Sequence, residues 1–125
     1  MIELIEGLPD GVVGLEAVGK VDSRDYKAIA APEVDRALLR HPKIRLIHVL
    51  DDRFTGYTAG GAWQDALLGL AHPTSFERIA VVTDSQSIDR LVKLAGWSIS
   101  GELRLFPNRE REQAEAWASE GLDPP

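Results

Sequence analysis

The run Ile44-Arg45-Leu46-Ile47-His48-Val49-Leu50 places apolar residues on both of its alternating faces. That pattern belongs to a central parallel strand covered on two sides. Ile79-Ala80-Val81-Val82 repeats it. Before the first of these runs, Ile2 and Leu4 alternate with Glu3, Leu8-Pro9-Asp10-Gly11 supplies a turn, and Val12 to Gly19 reads as a second strand with Val13, Leu15 and Ala17 on one face. The two should form a hairpin, with the first strand antiparallel and at or near an edge. At Asp22 or Ser23 the period changes to that of a helix, whose stripe is Tyr26, Ile29, Ala30, Val34, Ala37 and Leu38. Pro32 falls inside it and predicts a kink or break near Ala31, because a proline ring clashes with the preceding turn.

After Leu50 comes a polar, glycine-rich loop from Asp51 to Gly61, then an amphipathic helix capped by Thr58 with Ala62, Trp63, Ala66, Leu67 and Leu70 inward. Beyond the strand at Ile79, a helix carries Ile88, Leu91, Val92 and Ala95 inward and stops at Gly96. Leu103 to Phe106 is the last strand. Glu110 to Ser119 is a final helix with Ala114, Trp117 and Ala118 facing the sheet. The order ββαβαβαβα is that of one α/β domain over residues 1–120 with a mostly parallel five-stranded sheet packed with helices, followed by a flexible tail at 121–125.

At 125 residues the chain has the usual size of one domain. Its net charge of -6 argues against nucleic-acid binding, which rests on clustered Lys and Arg. The absence of cysteine excludes disulfides, thiolate nucleophiles and cysteine-based metal sites. The start Met1-Ile2-Glu3-Leu4-Ile5-Glu6 has neither the basic opening nor the apolar core of a secretory signal, and no run is long enough for a transmembrane segment. A cytoplasmic protein is expected.

Four blocks, Gly19 to Tyr26, Phe54 to Asp65, Phe76 to Asp84 and Gly101 to Phe106, together resemble the SpoIIAA-like family, over nearly the whole chain. That family is related to STAS domains, the fold of anti-sigma-factor antagonists, and is also described as STAS/SEC14-like. The resemblance implies a single STAS-like domain without enzymatic activity, mostly bacterial and of largely unknown role. In the antagonists the strand equivalent to Ile44 to Leu50 leads into a turn whose serine is phosphorylated. Here the turn reads Asp51-Asp52-Arg53-Phe54-Thr55, and no serine follows until Ser75. The phosphoswitch is therefore not carried over.

Parallel strands direct their carboxyl ends to one rim, which makes the turns Lys20 to Ser23, Asp51 to Gly61, Thr83 to Ser87 and Pro107 to Arg109 the default site. The candidate binding residues there are Asp51, Asp52, Phe54, Thr55, Tyr57, Thr58, Gly60, Gly61, Trp63, Thr83, Asp84, Ser85 and Trp97. Each has a structural alternative. Gly60 and Gly61 serve a tight helix entry as well as they would a phosphate, and no P-loop or dinucleotide fingerprint accompanies them. Asp51 and Asp52, adjacent on extended chain, point to opposite faces, so one cap and one solvated acid is the preferred reading over a carboxylate pair. Asp84 and Ser85 read first as helix caps. His41, His48 and His72 are too scattered to suggest a metal, and His48 is best read as a satisfied core residue. Trp97 either covers the core or joins Phe54 and Tyr57 in an apolar docking patch.

No catalytic constellation, cofactor motif or metal set emerges. The leading expectation is a non-catalytic binding or regulatory module that meets an unidentified protein partner, or itself as a homodimer, through the rim and the segment from Trp97 to Ser100. The alternative is a carrier of a small apolar molecule or lipid, suggested by the SEC14-like resemblance. An enzyme using Asp51, Asp52 or Asp84 ranks below both.

Overall fold

A computed structural model describes residues 1–58, 74–95 and 101–125. Strands β1 (Ile2–Leu4), β2 (Val12–Ala17), β4 (Ile44–Leu50), β6 (Phe76–Thr83) and β7 (Glu102–Phe106) form one mixed sheet in the order β1-β2-β4-β6-β7. β1 runs antiparallel to β2, at the edge, and the remaining pairs are parallel. β3 (Gly19–Val21) and β5 (Phe54–Tyr57) pair in parallel as a separate two-stranded ribbon.

The apolar runs do what their two-faced pattern requires. Leu46 and Leu50 of β4 and Ile79 and Val81 of β6 join one core, which also holds Val13, Leu15 and Ala17 of β2. Ile47, Val49, Ala80 and Val82 join a second core on the opposite face, with Phe106. The first core is covered by helical residues Tyr26, Ala30 and Val34 and by Ile88 and Val92 of α3 (Gln86–Ala95). The second lies under Ala114 and Ala118 of α4 (Arg111–Ser119) and under Ile5 and Leu8.

The first helical segment departs most from expectation. Asp22 caps α1 (Ser23–Asp25) through a reciprocal capping box with Asp25. The chain then widens into a π-helical turn at Tyr26–Ala30 before resuming as α2 (Ala31–Arg40), with Pro32 in the first turn of α2. The anticipated kink near Ala31 is thus a change of winding. Proline has no N–H with which to continue the helical ladder, and the wider turn lies immediately before it. The wider turn also shifts the helical phase, so Ile29, expected inward, is exposed while Tyr26 and Ala30 are fully buried. Leu91 likewise reaches solvent from α3, where Ile88 and Val92 already fill the face toward the sheet.

Two further expectations are corrected. The second strand was expected to run to Gly19, but it ends at Ala17, and a left-handed Gly19 (φ 64°) starts β3 in the other sheet. The stretch Asp51 to Gly61, read as loop, contains β5. Its alternation is short and interrupted by Gly56, at φ 130°, where the β3–β5 register skips a residue. Glycine adopts such a conformation without the Cβ clash that burdens other residues. The helix anticipated after Thr58 and the helix stop at Gly96 lie outside the described residues.

At the sheet's lower end two arginines close α4. Arg45 of β4 donates to the Ala118 carbonyl at 3.1 Å, and Arg78 of β6 donates to the Trp117 carbonyl at 2.8 Å while stacking 5.0 Å from the Trp117 ring centroid. Cations here meet the negative end of the helix dipole and its unpaired carbonyls.

Candidate functional site

Three of the four rim turns converge. Leu50, Asp51, Asp52, Phe54, Thr55 and Gly56 meet Thr83, Asp84, Ser85 and Asn108 around an open cleft of about 460 Å³. The fourth, Lys20 to Ser23, is absent from that lining. It is held beside β5 by the β3–β5 ladder and by the Thr58 N–H donating to the Val21 carbonyl at 3.0 Å.

The polar groups of the cleft are largely engaged in shaping it. The Asp51 carboxylate accepts from the Arg53 N–H at 3.1 Å, tightening the turn after β4. Asp52, also in the lining, is exposed. Thr83 is buried, and its hydroxyl accepts from the Ser85 N–H at 3.1 Å. The Ser85 hydroxyl accepts from the Ile88 N–H at 3.3 Å, capping α3. Asp84 reaches across to accept from the Asn108 N–H at 2.8 Å, tying the end of β6 to the end of β7. Phe54 packs edge-on to Tyr57, with ring centroids 5.0 Å apart, and Thr55 is exposed. Thr58 is exposed beside the ribbon. Gly60, Gly61, Trp63 and Trp97 lie outside the described residues.

Beneath the ribbon the structure assembles a set that the sequence did not announce. His48, buried at the centre of β4, places Nδ1 3.3 Å from the Leu15 carbonyl and Nε2 2.9 Å from the Tyr26 hydroxyl. Tyr26 in turn lies 3.1 Å from the Tyr57 hydroxyl. Burial, opposed only in part by the Leu15 carbonyl, lowers the His48 pKa from 6.5 to about 4, so the ring is neutral near pH 7. Burial likewise raises the Tyr57 pKa to about 12, against the effect of its bond to Tyr26. The available signal was a tyrosine inside an apolar helical stripe and a histidine inside an apolar strand. Nothing in their spacing said that they would face each other.

A second unforeseen cluster surrounds Glu16, at the carboxyl end of β2. Its nearly buried carboxylate meets Arg53 at 3.0 Å and Arg111 at 3.2 Å, and Arg53 continues to Glu3 at 2.9 Å. The side-chain hydrogen bond to Glu3 is the main cause of the upward shift of the Arg53 pKa. His41, three residues before β4, lies 3.2 Å from the Asp10 carboxylate, well apart from His48 within the strand, and His72 lies outside the described residues. Among the described residues, no group of three His, Asp or Glu side chains could hold a metal ion.

The SpoIIAA-like family profile matches residues 12–119. The chain belongs to the SpoIIAA-like family. A crystal structure of an uncharacterised DUF3478-family protein with a SpoIIAA-like fold, from Shewanella loihica PV-4, superposes with a TM-score of 0.69 at 26% identity, covering 94% of this chain and 92% of that one. No curated protein matches. The matched stretch takes in β2 to β7 and begins after β1, and no helix among the described residues is long and apolar enough to cross a membrane.

Proposed function

We propose that this SpoIIAA-like domain is a non-catalytic binding or regulatory module that engages a protein partner, or a second copy of itself, through the rim cleft between residues 51–56, 83–85 and 108. The observation that carries the reading is the use made of the cleft's polar groups. Asp51, Thr83, Asp84 and Ser85 each accept a backbone N–H that shapes a turn or caps a helix. A general base needs a lone pair aimed at a substrate proton, whereas these acceptors brace the cleft wall. A braced, open surface suits recognition of another surface, since a rigid interface loses little conformational freedom on binding.

The test is a benzophenone photocrosslinker placed at position 55, with a control at the exposed Leu39 on the far end of α2. The expected result is one discrete protein adduct, or a covalent dimer, from position 55 and not from position 39. Robust turnover of a small substrate, with no adduct at position 55, would reverse the proposal. Native mass spectrometry showing a bound lipid in place of a protein adduct would transfer the reading to the apolar-ligand alternative.

A further inference from the structure

The three-ring chain Tyr57–Tyr26–His48 has a direction, and chemistry sets it. A backbone carbonyl only accepts, so the contact between His48 Nδ1 and the Leu15 carbonyl puts the ring proton on Nδ1. A neutral imidazole then has a bare Nε2, which must accept from the Tyr26 hydroxyl at 2.9 Å. Tyr26 has one hydroxyl proton, now committed to His48. The 3.1 Å contact with Tyr57 is therefore Tyr57 donating to the Tyr26 oxygen. Every O–H in the chain points inward, toward β4.

Adding one proton at His48 reverses that order. With both ring nitrogens protonated, Nε2 donates to the Tyr26 oxygen, and Tyr26 turns its own proton to Tyr57. Tyr57 then directs its O–H away from Tyr26. One proton is taken up from solvent, and no bond other than hydrogen bonds and the new N–H changes. We propose that this chain is a proton-linked polarity switch, in which the protonation state of the buried His48 is expressed as the direction of the Tyr57 hydroxyl on β5, the strand that walls the rim cleft.

The surroundings favour such a relay. Among the described residues, Tyr26 on the π-helical turn is a titratable group in contact with His48, and Tyr57 on β5 is the next along the chain. The neighbours of His48 across the sheet are Leu15 on β2 and Val81 on β6, with Leu46 and Leu50 on its own face, all apolar. The chain of hydroxyls thus links the buried ring to the ribbon, and Tyr57 is less deeply enclosed than Tyr26. The π-helical turn contributes by placing Tyr26 between the two partners. Linkage makes the coupling reciprocal: a group that accepts a hydrogen bond from Tyr57 raises the proton affinity of His48.

Nitrogen-15 and carbon-13 NMR of the His48 ring tests this on the intact protein. Near neutral pH the Nδ1-protonated tautomer is expected, with titration in the acid range as the low His48 pKa requires. Tyr57→Phe removes the acceptor that the reversed chain needs. Its His48 midpoint is expected to fall by about half a pH unit, the size of a modest hydrogen-bond contribution. An Nε2-protonated ring at neutral pH in the wild-type chain would overturn the proposal whether or not the variant folds. So would a Tyr57→Phe midpoint identical to that of the wild type.

Discussion

The Asp84 carboxylate accepts a hydrogen bond from the Asn108 backbone N–H at 2.8 Å, joining the turn after β6 to the turn after β7. The two residues are 24 positions apart in sequence, and their bond sets one wall of the rim cleft. Because the acceptor is a charged oxygen and the donor a backbone amide, it belongs to the stronger class of hydrogen bonds.

Asp84→Ala should therefore lower unfolding free energy by about 1 kcal/mol, while Asp84→Asn, which keeps an acceptor oxygen, should lose less than half of that. Urea unfolding of the three proteins checks it. Equal loss in both variants would mean that the bond to Asn108 contributes nothing specific.

Stability should depend on pH through His48. Its folded-state pKa, about 4, lies below the ordinary 6.5, so the unfolded chain binds the proton more readily between those values. The stabilisation is present above pH 6.5 and is lost as pH falls toward 4. A shift of that size corresponds to roughly 3 kcal/mol. His48→Gln should show a stability loss on acidification that is smaller than the wild type's by an amount of that order. Parallel stability-versus-pH curves for the two proteins would contradict the assignment.

Gly101 immediately precedes β7, where a Cβ would press on the Phe76 and Glu77 carbonyls, 2.6 Å from the latter. Gly101→Ala should cost about 1–3 kcal/mol, because β6 backbone cannot yield as a flexible side chain does. Thermal melting gives the answer directly, and an unchanged midpoint would show that β7 can shift freely.

Glu16 holds Arg53 and Arg111, from the turn before β5 and the start of α4. Glu16→Ala leaves both cations without that partner and should destabilise by about 2 kcal/mol, below the cost of a fully buried pair because the arginines are partly solvated. The loss should shrink in a background already carrying Arg53→Ala and Arg111→Ala. Full additivity in that cycle would mean that the three do not interact.

The sequence by itself determined the two-faced strands at Ile44–Leu50 and Ile79–Val82, an antiparallel first strand at or near an edge, a helix cap at Asp22 or Ser23 and the assembly of the 51–56, 83–85 and 107–108 turns at one end. Period, burial on two faces and capping chemistry are local consequences of side-chain type. The family was legible in the same way, as blocks of residues. Only the tertiary structure decided that Gly19 and Phe54 begin a second ribbon, that the segment at Tyr26 winds as a π turn, and that Tyr26, His48 and Tyr57 meet. Pairing between remote segments depends on which backbone edges and hydroxyls become neighbours after packing. That is a property of distance in space, which no spacing along the chain encodes.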